Sequence, residues 1–337
     1  MKGNSVLISL FFSNGTMKLN ILTKLSIWVL IYQVFVSCQN FYDSDPHIIE
    51  ANERNFDKIV HSTNQTSLVE FYAPWCGYCK QLKPVMNRVG KKLDGIAQVV
   101  TVNCDLEQNK GLCSKHGVEG FPTLMVFRPP KVYRKGQKHA NEKYQGERTM
   151  KPIVEFVKSR VKNSVKKLRS INTIQNMLIK HHDTILNNFT VVLFSKVDII
   201  PPIFKSIGID WLNQVEFFMM HNKKIEQINE EDKTWSKFAS LYPTMSKSLN
   251  ELLQKQIHNM DFNRLLLLDK VNDELHIYDG NQITKMDVTK FINGITHLTP
   301  QEGPMSKRQM YVDSMKSGKK NKKIRKQGRK GNVKDEL

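Results

Sequence analysis

The chain has 337 residues, enough for two domains plus tails at roughly 100–200 residues each. Its apolar share of 40% allows sizeable cores and excludes a chain too polar to fold. The formal charge of +19 is not spread evenly: KSGKKNKKIRKQGRKGNVKDEL (316–337) is dense in Lys and Arg and reads as a basic tail.

The first element is a secretory signal. MKLNILTK (17–24) is a basic lead, and LSIWVLIYQVFV (25–36) is an apolar run of 12 residues. That run is short for a bilayer span and has the length of a signal peptide. Val36 and Cys38 fall at the −3 and −1 positions of a cleavage before Gln39, so residues 1–38 read as signal peptide, with Met17 as the candidate initiator. An uncleaved anchor is the alternative.

From Pro46 the chain alternates strand and helix patterns. HIIEA is a short strand and NERNFDKIVHS a helix. SLVEFYA (67–73) is a buried strand of apolar, β-branched and aromatic residues. The run from Cys76 places Leu82, Val85, Met86, Val89 and Leu93 at helical spacing, with a kink expected at Pro84. QVVTVN (98–103) and TLMVFR (123–128) are further strands, with a short helix over NKGLCSKHG between them and a last helix over KPIVEFVKSRV. This alternation predicts an α/β sheet with helices on both faces.

A second unit follows, with strands predicted at TVVLFS (190–195), QVEFFMM (214–220), RLLLLD (264–269) and ELHIYDG (274–280). YQGERTMKPIVEFV (144–157) is echoed by YDGNQITKMDVTKFI (278–292): each has Tyr-x-Gly, a polar turn and an amphipathic helix. The echo points to duplication, and the second unit carries no cysteine. The boundaries read as 39–165, 166–300 and a basic disordered tail over 301–337.

The chain closes on Lys334, Asp335, Glu336 and Leu337, a KDEL retrieval address. A signal peptide with a terminal KDEL predicts residence in the lumen of the endoplasmic reticulum, with no stable membrane span after cleavage. That compartment is oxidising. Sequons at Asn64 and Asn188 fit the route. The basic tail alone would suit nucleic acid or acidic membranes, but both termini point to the secretory pathway, and no nucleic-acid partner is expected.

Without the signal, four cysteines remain: Cys76, Cys79, Cys104 and Cys113. Four allow three pairings, and the spacing favours Cys76 with Cys79 and Cys104 with Cys113. A four-cysteine zinc site is the rival, but its second half, C-x8-C, lacks a tight knuckle.

LVEFYAPWCGYCK, then GFPT, then YQGER together resemble a catalytic thioredoxin domain of the protein disulfide isomerase family, over about Ile48 to Val161. The overall plan resembles the small fungal members, with one catalytic domain, a redox-inactive thioredoxin-like domain and a retrieval signal. The resemblance implies two thioredoxin-like domains in tandem, each a mixed sheet flanked by helices.

It also implies roles. Cys76 opens a helix, where unpaired N–H groups and the dipole favour a thiolate, and is the expected nucleophile. Cys79, one turn on, is the expected resolving thiol. Glu70 matches the family's buried acid, which takes the Cys79 proton. Many relatives pair that acid with a lysine on the neighbouring strand, where Thr101 stands here, so Glu70 is expected to neutralise more easily. Pro122 matches the cis-proline facing the dithiol, and Arg148 matches an arginine that swings towards it. Trp75, Gly77, Tyr78 and Pro122 shape the site, while Cys104–Cys113 is expected to be structural.

The expected activity is formation, reduction and rearrangement of disulfides in secretory proteins, with neither metal nor organic cofactor. Implied partners are unfolded or misfolded clients, a thiol oxidase of the endoplasmic reticulum or glutathione, lectin chaperones and the retrieval receptor. A client-binding chaperone or adaptor with weak catalysis is the alternative.

Overall fold

A computed structural model describes residues 41–42, 45–131, 136–180, 182, 188–224, 231–256, 263–280 and 282–316. The signal, the retrieval tetrapeptide and the basic residues from 317 onward lie outside the described residues.

The first unit is built around Ser67–Tyr72 (β2), whose six side chains are all buried. A strand covered on both faces is read as a continuous apolar run, and here Glu70 interrupts that run. β2 pairs in parallel with Gln98–Asn103 (β3), which pairs in parallel with Ile49–Ala51 (β1). On its other side β2 is antiparallel to Thr123–Arg128 (β4), and β4 to Ala140–Lys143 (β5). The order is β1-β3-β2-β4-β5, a mixed sheet.

Helices cover both faces. Glu53–Phe56 (α1), begun by an Asn52–Asn55 capping box, runs into a π-helical turn over Asp57–His61 rather than the single helix expected. Its Phe56, Ile59 and Val60 pack with Val69, Phe71, Val100 and Phe127. Gly77–Leu93 (α2) buries Cys79, Leu82, Met86, Val89 and Leu93 on one stripe and continues through the exposed Pro84. Glu107–Lys115 (α3) follows β3. Met150–Ser159 (α4) packs against α2. Side chains alternate along β2, so Val69 and Phe71 face the α1 side while Glu70 faces the α2 side.

The second unit repeats this topology. Lys166–Leu168 (β6), Ile171–Lys180 (α5), Phe189–Ser195 (β7), Pro202–Asp210 (α6), Val215–His221 (β8), Lys233–Leu241 (α7), Pro243–Gln256 (α8), Arg264–Asp269 (β9), Glu274–Ile277 (β10) and Lys285–Thr296 (α9) follow in order. The sheet is β10-β9-β7-β8-β6, with β6, β8 and β7 parallel and β9 and β10 antiparallel. The fold is thus two thioredoxin-like sheets in tandem. β6 escaped the sequence reading because it is three residues long with two exposed lysines.

The repeated Tyr-x-Gly is a matching structural device. Tyr144 Oη donates to Glu147 O at 2.7 Å and Tyr278 Oη to Gln282 O at 2.9 Å. Their rings meet Phe156 and Phe291 edge-on at 4.9 and 5.4 Å. A Cβ on Gly146 or Gly280 would lie only 2.5 or 2.1 Å from the tyrosine oxygen, so each tight turn requires glycine.

The segment from 301 corrects the sequence reading, which gave all of 301–337 to a disordered tail. Lys307–Lys316 (α10) is a helix, and its Val312 is buried among Ile49, Val100 and the π-helical turn, with Tyr311 and Met315 packed against the same cluster. Arg308 Nη2 donates to Ile59 O at 2.8 Å and to Gln98 Oε1 at 3.1 Å. Lys58 Nζ sits 3.6 Å from the Tyr311 ring centroid. Glu302 accepts from Thr63 Oγ1 and from Asn64 N. Gln65 Nε2 donates to Asp210 Oδ1 at 2.7 Å, and Asp210 Oδ2 lies 3.0 Å from Lys285 Nζ. Burial pushes the Asp210 carboxyl up to about 7, against the pull of Lys285. Gly303 has φ +70, and a Cβ there would meet Asp210 Oδ2 at 2.0 Å.

Asn64 of the first sequon takes part in the same contacts. Its Nδ2, where a glycan would attach, donates to Glu302 Oε1 at 3.2 Å, and its Oδ1 accepts from Lys162 at 3.0 Å. Asn188 is half-buried at the start of β7.

Candidate active site, a dithiol at a helix N-terminus

The chain leaves β2, turns through Ala73–Trp75 and enters α2 at Cys76. Cys76 is the N-cap, with extended backbone (φ −70, ψ 122), and its own carbonyl accepts the first helical bond from Lys80 N at 3.1 Å. The first N–H groups of a helix lack helical partners. Burial raises the Cys76 thiol, but the N–H groups of Cys79 and Tyr78, the Cys79 thiol and the Arg148 charge together bring it below its ordinary value.

Cys79 is its opposite. It is fully buried, and burial, followed by smaller contributions from Cys76 and Glu70, pushes it up to about 12 despite an opposing hydrogen bond with the Ala73 backbone. Both are free thiols, and Cys76 is 9% exposed. Cys76 is thus the more exposed sulfur and the one more easily ionised, and Cys79 is enclosed and held protonated.

The residues around the pair come from four segments. Phe121–Pro122 is a cis peptide bond, and Cys76 Sγ donates to Phe121 O at 3.5 Å. Arg148, exposed between β5 and α4, donates from Nη2 to Pro122 O at 3.1 Å, so in this structure the guanidinium is docked beside the proline. Trp75 is anchored by Nε1 to Asp105 Oδ1 at 2.8 Å and meets Phe121 edge-on at 6.0 Å. Trp75 and Tyr78 are 64% and 69% exposed, two aromatic faces on the rim. A Cβ on Gly77 would meet no protein atom within 4 Å, so the surface between them is open.

Glu70 lies beneath the dithiol, fully buried, and burial pushes its carboxyl up to about 7 against the pull of Tyr42 and Arg148. Thr101 stands directly across from it on β3, as expected, and donates instead to Glu50 Oε2 at 2.8 Å. The partner missed by the sequence reading is Tyr42, whose Oη donates to Glu70 Oε2 at 2.7 Å. No spacing signal links residues 28 apart through an irregular segment.

Cys104 and Cys113 are joined in a disulfide that closes the turn from β3 into α3. Among the described residues no cluster of His, Cys, Asp and Glu could hold a metal ion, and no helix is long and apolar enough to cross a membrane. A cavity of about 610 Å³, lined in part by Asp94, Lys285, Met305 and Val312, includes none of the dithiol residues. Cys76 lies instead just beneath a surface rimmed by the exposed Trp75 and Tyr78, which suits a macromolecular substrate.

Comparison with known proteins agrees with this geometry. Residues 47–159 match the family model described as Thioredoxin. The chain is 45% identical over 294 residues to Protein disulfide-isomerase MPD1 of Saccharomyces cerevisiae, covering 85% of this chain and 89% of that protein. It is 30% identical over 211 residues to a putative protein disulfide-isomerase of Dictyostelium discoideum, covering 62% of this chain and 49% of the other. A crystal structure of ERdj5 (form II) shares the fold over 80% of this chain and 32% of its own, at 20% identity and a TM-score of 0.50. The chain belongs to the protein disulfide isomerase family of thiol–disulfide oxidoreductases.

Proposed function

We propose that the protein works in the lumen of the endoplasmic reticulum, forming, reducing and rearranging disulfides in folding secretory proteins. The observation that supports this best is the asymmetry of the dithiol: a reachable Cys76 held low by helix N–H groups, above an enclosed Cys79 held near 12. The lumenal location rests on the signal-like segment before Gln39 and on KDEL at 334–337.

In reduction, the Cys76 thiolate attacks one sulfur of a client disulfide. A Cys76–client bond forms, and the other client sulfur leaves as a thiolate. Cys79 gives its proton to Glu70 and attacks Cys76, closing Cys76–Cys79 and releasing the second client sulfur. The pair loses two electrons and the client disulfide gains them. Oxidation runs these steps backwards, and isomerisation returns the client after the first exchange. Arg148 stabilises the anionic sulfurs, and Trp75, Tyr78 and the backbone at Phe121 hold the client. A thiol oxidase or the glutathione pool resets the pair. The second unit, without cysteine, supplies contact with clients or with a lectin chaperone, and the KDEL receptor returns the protein.

Insulin reduction and scrambled-ribonuclease refolding, with the unaltered protein and Cys76→Ser, test this reading. Activity should vanish in the variant. Equal rates would leave a client-binding chaperone or adaptor.

A further inference from the structure

Tyr42 lies outside the strands and helices of the sheet unit, yet it is only 2% exposed, and its ring meets Tyr72 edge-on at 5.6 Å. Its hydroxyl donates to Glu70 Oε2 at 2.7 Å. The other oxygen, Oε1, is buried with no hydrogen-bond partner among the described residues. A buried carboxylate oxygen without a donor is costly. One oxygen of Glu70 is therefore fixed and the other is open.

The neighbours of Glu70 define what else acts on it. Across β3 stands Thr101, committed to Glu50 of β1, to which Tyr72 Oη also donates at 3.2 Å. Across β4 stands the uncharged Leu124. From α2 comes Cys79, raised in part by the Glu70 charge, and from the segment between β5 and α4 comes the Arg148 charge. Tyr42 supplies the direct hydrogen bond, and burial keeps its phenol protonated, so it stays a donor.

We infer that Tyr42 is a positioning residue for the proton relay: it holds Glu70 Oε2 so that Oε1 is the oxygen that exchanges a proton with Cys79. This rests on the proposed role of Glu70 as the acceptor. In the resolving step the proton moves from Cys79 Sγ to Oε1, the Cys79–Cys76 bond forms and the Cys76–client bond breaks. The client sulfur takes a proton from solvent, and Glu70 later returns its own.

The test is the rate at which Cys79 resolves a mixed disulfide preformed between Cys76 and a chromogenic thiol, followed from pH 5 to 9. Tyr42→Phe keeps the ring and removes the donor. A donor lost from a buried carboxylate raises its pKa, here by about one unit. The profile in Tyr42→Phe should move up by that amount, slowing resolution at pH 7 about fivefold, because the ionised fraction falls from about one half to about one tenth. Glu70→Gln should abolish the inflection, and adding Tyr42→Phe to it should change nothing further. An inflection that stays put in Tyr42→Phe but disappears in Glu70→Gln overturns the role of Tyr42. An inflection that survives Glu70→Gln overturns the relay itself. If Tyr42→Phe does not fold, 3-fluorotyrosine at this position, a stronger donor, should move the profile down, and an unmoved profile counts against Tyr42.

Discussion

Cys76 Sγ lies 3.5 Å from the carbonyl oxygen of Phe121, 45 residues away and bonded to Pro122 in the cis form. The contact joins the two halves of the site. On one side of the sulfur are the first N–H groups of α2, and on the other is a backbone carbonyl flanked by a proline that has no N–H to compete. Exposed Trp75 and Tyr78 form the rim.

Tyr78 is the residue expected to set the redox poise. Its N–H already assists Cys76, and its exposed ring carries no cation at neutral pH. An imidazolium there would stabilise the thiolate and hence the reduced form. Tyr78→His should make the pair more oxidising by about 30 mV, or roughly 1.4 kcal/mol for two electrons. Equilibration with glutathione measures it, and an equal or lower potential contradicts it.

Glu70 links function to stability. Its folded pKa, about 7, lies above the ordinary value of 4.5. The folded state therefore binds more protons between these values, and this group's contribution falls as pH rises from 4.5 through 7. Glu70→Gln should be more stable than the unaltered protein at pH 8, by about 3 kcal/mol. It should gain little at pH 4. Urea denaturation at the two pH values checks the difference, and a gain that does not depend on pH would refute it.

The Cys104–Cys113 bond closes a short loop that contains neither reacting sulfur, though its Asp105 anchors Trp75 on the rim. Replacing both cysteines with alanine should cost about 2–3 kcal/mol on loop-closure grounds. Turnover of insulin well below the melting temperature should be retained. A loss of turnover without a loss of stability would assign this bond to the redox cycle.

Arg308 ties α10 to the catalytic unit. It caps the carbonyls of Lys58 and Ile59 and lies 3.7 Å from Glu302. Arg308→Ala leaves a largely buried carboxylate and several carbonyls without their cation, at a cost of about 3 kcal/mol. The expected result is a lower denaturation midpoint and faster proteolysis between 300 and 316. An unchanged midpoint would show that the segment contributes no stability.

The catalytic unit was legible because its chemistry is local. Cys76 and Cys79 share one turn, β2 is an apolar run broken only by Ser67 and Glu70, and Pro122 directly precedes β4. Tyr-x-Gly carried the duplication, since its tyrosine bonds within four residues. Tyr42 was not legible, because its partner is a buried acid reached only when the sheet closes. The segment from 301 was misread because its lysines and arginines outweigh Tyr311, Val312 and Met315, and because the arginine that anchors it reads as tail charge.

The central claim is that Cys76 attacks and Cys79 resolves. Its most direct test is to mix Cys79→Ala and, separately, Cys76→Ala with a disulfide-bonded peptide and to locate covalent adducts by mass spectrometry. The account predicts a stable one-to-one adduct on Cys76 in Cys79→Ala, and none in Cys76→Ala. An adduct forming as readily on Cys79 in Cys76→Ala would contradict it.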